Sequence, residues 1–243
     1  MTGVQTCALP IYGALALVGS GEYSEQLQDF EAELLRRAVM RGKRNTFIQI
    51  PTASSHEGDA RRQYWRDKGA AQAQRIGATC VYLPIHERED ALDPQYISQI
   101  KDAGLIYFSG GDPHRVAEIF TGTPLWNAIV EAWESGSSLA GCSAGAMAFG
   151  GTIMGLRRSH PSPGLGLLPD IEVIPHYDKM LGWLPERVTA FVLRHDAKTT
   201  LLGIDENTAL VLTDTWQRYG RGKIHILRGA LALDEQIFQI NSA

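Results

Sequence analysis

The chain has 243 residues, 44% hydrophobic and 21% charged, with a formal net charge of −4. That balance excludes disordered, collagen-like and coiled-coil chains, and the length suits one domain with an ample core. The sequence holds no apolar run near the roughly 20 residues of a membrane-spanning helix, and its mildly acidic charge offers no footprint for nucleic acid. Cys7, Cys80 and Cys142 are too few to staple a chain of this size, which points to a reducing, cytoplasmic compartment.

Residues 1–12, MTGVQTCALPIY, lack the basic start of a secretory signal and resemble the conceptual translation of a sequencing-library adapter. The fold is therefore expected to begin near Gly13, with 13–243 as a single domain. Ala14–Val18 (ALALV) reads as a buried strand ending in the turn Gly19-Ser20-Gly21. Ser24 is placed to cap a helix with Leu27, Phe30, Leu34 and Ala38 on one face. Thr46–Ile50 is a second strand, the polar stretch 56–76 a helix, and TCVYLPI a third strand. Leu105–Phe108 forms a fourth strand and runs into Ser109-Gly110-Gly111-Asp112-Pro113. Thr123-Pro124 opens a helix with a cap and a first-position proline, and Leu125, Ile129, Val130 and Trp133 make its inner face. Ser137–Gly141 is a fifth strand that leads directly into GCSAGAMAFGG.

This alternation predicts an α/β fold with a doubly wound, mostly parallel sheet and helices on both faces. TTLLGI, TALVLT and KIHIL are joined by short links and are expected to extend the same sheet in mixed or antiparallel fashion.

Gly141-Cys142-Ser143-Ala144-Gly145 fits G-x-S-x-G, with a strand before it and a small-residue helix start after it. Such an elbow needs small neighbours, because its sharp turn forces the serine into strained geometry and exposes the hydroxyl. Centring the motif on Cys142 loses both flanking glycines, so Cys142 is expected to be a small buried neighbour of the nucleophile Ser143. A serine nucleophile needs a base within hydrogen-bond reach and a group that orients it. Of seven histidines, His176 stands directly after an apolar, strand-like run, where functional loops sit.

VGSGEY, YFSGGD, GCSAGAM, GLGLLP, PHYDK and GIDENTALV, in that order, resemble the cyanophycinase and aspartyl-dipeptidase (peptidase E-like) family of serine peptidases. The resemblance spans essentially the whole chain from Ala14. It implies the flavodoxin-like, class I glutamine amidotransferase-like fold, Ser143 as nucleophile and His176 as base. It also implies an oxyanion hole from the backbone N–H groups of Gly111 and Ala144. For the acid it is uneven: some members use a carboxylate in the loop after the elbow, yet here that loop has none before Asp170. Glu206, in GIDENTALV, is the expected acid, with a serine–histidine dyad or another acid as the alternatives.

The expected reaction is hydrolysis of a peptide or isopeptide bond through an acyl-enzyme, on a small Asp-containing peptide. Arg157, Arg158 and Asp112 are the expected substrate contacts, the two arginines because an acidic substrate asks for cations. Pro113 stands where family members often carry Gln, which speaks against the β-linked Asp-Arg polymer as substrate. No cofactor or metal is expected, since no zinc-ligand spacing is present. A homodimer is left open. Rival readings are an esterase-type serine hydrolase, a non-catalytic binding domain on the same fold and, from Gly19-Ser20-Gly21, a nucleotide site.

Overall fold

Short β-rich runs alternate with amphipathic segments along most of the chain, and the structure turns each pair into a strand and its covering helix. This computed structural model describes residues 12–155, 160–180 and 198–240. Arg157, Arg158 and all of the adapter-like segment except Tyr12 lie outside the described residues. In chain order the elements are β1 (Leu15–Val18), α1 (Gln28–Met40), β2 (Thr46–Ile50), α2 (Asp59–Arg75), β3 (Thr79–Tyr82) and α3 (Pro94–Ile100). Then come β4 (Leu105–Phe108), α4 (Pro113–Phe120), α5 (Pro124–Glu134), β5 (Ser138–Cys142) and α6 (Ala144–Phe149). The remainder comprises β6 (Thr152–Ile153), β7 (Ser162–Pro163), β8 (Ile171–Ile174), α7 (Tyr177–Met180) and β9 (Thr200–Ile204). It ends with β10 (Thr208–Leu212), β11 (Trp216–Gly220), β12 (Ile224–Arg228) and β13 (Leu233–Ile237).

The main sheet has the order β13-β11-β10-β1-β5-β4-β2-β3. Strands β1, β5, β4, β2 and β3 run parallel, while β10 is antiparallel to β1 and β11 to β10. The two-residue period of a strand divides the core into two layers. Leu15, Leu17, Ile48, Ile50, Ile106 and Phe108 face α3, α4, α5 and α6. Ala16, Val18, Phe47, Leu105, Tyr107 and Ala140 face α1 and α2. The sheet is thus doubly wound, and the C-terminal ends of β1, β4 and β5 gather at one edge. Leu27, Phe30, Leu34 and Ala38 are fully buried as expected, and burying each large side chain contributes about 1.5–3 kcal/mol.

Three local expectations need correction. Ser24 does not cap with its hydroxyl; its carbonyl instead accepts from Leu27 N–H at 3.2 Å in a 3₁₀ turn over Glu25–Leu27, so backbone bonds start α1. On α5, Val130 and Trp133 are only half-buried, and Trp126 and Ala132 fill the core instead. The Trp133 indole N–H is drawn to the margin by the Gly13 carbonyl, 2.9 Å away. Finally, TTLLGI and KIHIL do not extend the main sheet. With β8 they form a separate three-stranded sheet, order β12-β9-β8. The turn Asp205–Asn207, with Asn207 at φ 51°, redirects the chain between β9 and β10, and only β10 joins β1.

One buried acid stands out on the α1 face. Glu31 is fully buried, accepting hydrogen bonds from Tyr23 N–H (3.4 Å) and the Gln72 amide (2.6 Å). Burial pushes its carboxyl up from 4.5 to about 8, against the smaller opposing effect of those bonds. The folded state therefore holds a proton that the unfolded chain releases above about pH 4.5. Stability is fully present below that point and falls as pH rises towards about 8, by about 1.4 kcal/mol per unit. Glu31→Gln is expected to flatten this dependence: urea unfolding at pH 5 and pH 8 should differ by a few kcal/mol less than in the wild type.

Candidate active site

Ser143 lies between β5 and α6 at φ 48° and ψ −105°, a strained conformation that turns its side chain out of the sheet edge. Its N–H donates to the Val18 carbonyl at 2.9 Å, tying the elbow to β1. The flanking glycines are required by packing. A Cβ on Gly141 would meet the Gly145 carbonyl carbon at 2.6 Å, and one on Gly145 would meet the Phe108 carbonyl oxygen at 2.7 Å. The G-x-S-x-G pattern is thus a close approach of β5, β4 and α6 under one serine.

His176 follows β8 at φ 50°, and its N–H donates to the Gly19 carbonyl at 3.3 Å. Its Nε2 lies 3.0 Å from Ser143 Oγ, and its Nδ1 lies 3.1 Å from Glu206 Oε1. With the Nδ1 proton facing the carboxylate, Nε2 is the acceptor for the serine hydroxyl. Glu206 sits in the β9–β10 turn, and its own N–H donates to Asp178 Oδ1 at 2.9 Å. The three residues singled out from sequence are therefore brought into one hydrogen-bonded line, with the serine and the histidine delivered by different sheets.

The Gly110–Gly111 turn after β4 faces this line. Gly111 has φ 142°, and a Cβ there would lie 2.5 Å from the Ala53 carbonyl, so only glycine fits. Gly111 lines a small pocket of about 50 Å³ together with Ser143 and His176, and Ala144 opens α6 beside the serine. Asp112 caps α4: its Oδ1 accepts from His114 N–H at 2.9 Å. The rest of the pocket wall is Pro113, His114, Met147, Met154, Pro175 and Met180.

The glycines after β1 brace the other side. A Cβ on Gly19 would sit 2.1 Å from the Asp205 carbonyl oxygen, and one on Gly21 would sit 2.2 Å from Asn207 Oδ1. Gly19-Ser20-Gly21 is therefore the seat of the turn that carries Glu206, which accounts for these glycines without a nucleotide.

Cys142 is fully buried, and its thiol donates to Glu22 Oε2 at 3.0 Å. Burial, reinforced by the Glu22 carboxylate, pushes the thiol well above its ordinary value, which favours the protonated form in this buried neighbour of Ser143.

The family model of peptidase family S51 matches residues 15–218. The chain belongs to peptidase family S51. Among similar proteins, the cyanophycinase of Synechococcus elongatus is 28% identical over 193 residues, covering 73% of this chain and 57% of that protein. The cyanophycinase of Trichormus variabilis is 28% identical over 211 residues, covering 80% of this chain and 68% of its own length. The chain thus spans little more than half of the Synechococcus relative. A crystal structure of a peptidase from an acI-B1 Actinobacterium superposes with TM-score 0.83 at 44% identity, covering 91% of this chain and 93% of that one. A Listeria monocytogenes EGD-e protein assigned to peptidase E shares the fold, with TM-score 0.59 at 20% identity over 85% of this chain and 98% of its own.

Two residues escaped the sequence reading, Glu22 and Asp178. Both lie inside motifs already singled out, VGSGEY and PHYDK, and each holds backbone of the site through its carboxylate. A charged residue placed directly beside left-handed or functional positions was the available signal. The buried, protonated thiol carries its own check: in folded protein at pH 8, iodoacetamide should leave Cys142 unmodified, and denaturation should expose it, as read by peptide mass spectrometry.

Proposed function

We propose that the protein is a serine peptidase that hydrolyses a peptide or isopeptide bond of a small acidic, Asp-containing peptide. The observation that carries this reading is the hydrogen-bonded line Ser143–His176–Glu206. His176 takes the proton of Ser143 as its Oγ attacks the carbonyl carbon, and Glu206 stabilises the imidazolium that results. The tetrahedral oxyanion is met by the N–H groups of Gly111 and Ala144, each worth about 3–4 kcal/mol to the transition state. His176 then passes the proton to the leaving amine, and water resolves the acyl-enzyme by the same steps in reverse. Side chains and water suffice for this chemistry, and the paucity of cysteine agrees with a cytoplasmic setting.

The order nucleophile, base, acid along the chain separates this arrangement from the α/β-hydrolase esterases, whose acid precedes the histidine. The family's cyanophycinases support an Asp-containing substrate, with Arg157, Arg158 and Asp112 as its contacts. One observation favours a second reading of specificity: the described pocket wall holds three methionines and two prolines but no lysine or arginine. On that reading a residue flanking the scissile bond is apolar.

A dipeptide panel tests both. Asp-X, β-Asp-X, Glu-X and neutral X-X substrates should show turnover that favours Asp, with apolar X preferred if the second reading holds; turnover confined to neutral peptides removes the acidic one. Ser143→Ala should abolish turnover and labelling by a fluorophosphonate. Glu206→Gln should fold normally and lower kcat about 10³–10⁴-fold; wild-type turnover in that variant would remove Glu206 from the mechanism.

A further inference from the structure

We propose that Glu22 is a positioning residue that holds the oxyanion hole in register with the nucleophile, and that it acts as a hydrogen-bond acceptor rather than as a charge. This rests on the reading of Ser143 as nucleophile and Gly111 as an oxyanion donor. Glu22 lies in the loop after β1, between Gly21 at φ 90° and Tyr23 at φ 59°. Left-handed residues on either side of Glu22 reverse the chain and send its side chain back under the sheet edge. The loop is fixed further where Tyr23 N–H meets Glu31 and where the Tyr23 carbonyl accepts from Arg75 at 2.7 Å.

The carboxylate so delivered bridges the two walls of the site. Oε1 accepts from Gly110 N–H at 2.9 Å, in the turn that presents Gly111. Oε2 accepts from the Cys142 thiol at 3.0 Å, one residue before Ser143. Gly110 lies between them: a Cβ there would be 2.8 Å from Glu22 Oε1 and 3.4 Å from Ser143 Cβ. On its far side the same turn is held by the bond from Asp112 N–H to the Ala53 carbonyl, 2.8 Å. With one anchor at each end, the Gly110–Gly111 peptide cannot swing, and its aim at the reacting oxygen is set before substrate arrives. Removing the Glu22 anchor frees the end nearer the serine, and misplacement of an oxyanion donor by about 1 Å is costly.

The acceptor requirement makes the proposal separable from a charge effect. Glutamine at this position offers its amide oxygen to Gly110 N–H and its NH₂ to the sulfur, which also accepts weakly. Leucine fills similar volume and offers neither. The measurement is the second-order rate of fluorophosphonate labelling at Ser143, whose phosphonyl oxygen uses the same hole, with the thermal midpoint and the pH dependence of labelling recorded alongside. Glu22→Leu is expected to slow labelling about 10–100-fold at an unchanged thermal midpoint and an unchanged pH profile, because the His176–Glu206 pair is untouched. Glu22→Gln should stay within about fivefold of the wild type, a rescue that a purely structural or purely electrostatic role would not produce. Should Glu22→Leu fail to fold, Gly110→Ala breaks the same bond from the turn side by displacing the flexible carboxylate, and should slow labelling about tenfold or more. Wild-type labelling in folded Glu22→Leu or in Gly110→Ala overturns the proposal. So does equal impairment of the Leu and Gln variants. Labelling of Ser143→Ala at the wild-type rate would instead bring down the nucleophile assignment, and this proposal with it.

Discussion

The site depends on how closely other segments of the chain can approach the C-terminal end of β1. Gly19 and Gly21 leave space where any side chain would collide with Asp205 or Asn207, so the turn that carries Glu206 lies directly against the main sheet. The Gly19 carbonyl then takes the His176 N–H, and Val18 takes that of Ser143. Ser143, His176 and Glu206 are thereby referenced to one short stretch of backbone, and the Glu22 side chain at its end reaches the turn after β4. Backbone contacts of this kind set positions more tightly than side-chain packing, because each admits little rotamer freedom.

The strained serine is the counterpart of that arrangement. Its left-handed φ is held by the bond to Val18 and by the interlocking of Gly141, Gly145 and Phe108, none of which yields without moving a strand. The buried surroundings also distinguish the two adjacent side chains, a thiol and a hydroxyl. Cys142 points into the α1-side core against a carboxylate and stays a neutral thiol, whereas Ser143 points to the pocket and an imidazole. One residue at the end of β5 separates a side chain sunk in the core from one turned to the pocket.

Much of this was legible in the sequence, because the signals were local. The five parallel strands show as apolar runs bounded by glycine and proline, and the elbow shows as small residues at a strand–helix junction. His176 and Glu206 were found by family resemblance and by position at strand ends. What local pattern does not carry is partnership. TTLLGI and TALVLT look alike as strings, yet β9 pairs with β8 and β10 with β1, a choice made by one left-handed asparagine and the glycines opposite it. Glu22 and Asp178 were hidden for a related reason: their partners are backbone N–H groups distant in sequence, which no spacing rule reports.

Ser143 comes from the eight-stranded sheet, whereas His176 follows β8 and Glu206 follows β9 of the three-stranded one. The 3.0 Å contact between serine and histidine is therefore a seam between two layers of secondary structure. The smaller sheet packs Met154, Ile174, Tyr177, Leu201 and Leu227 on one face, while Ile171, Val173, Leu202 and Ile204 on the other join the main core beside Phe108 and Phe149. The alignment of the serine hydroxyl with its imidazole is therefore set by the fit of one sheet on the other, so a change of packing at Ile171, Val173, Leu202 or Ile204, none of which lines the pocket, is felt at Ser143.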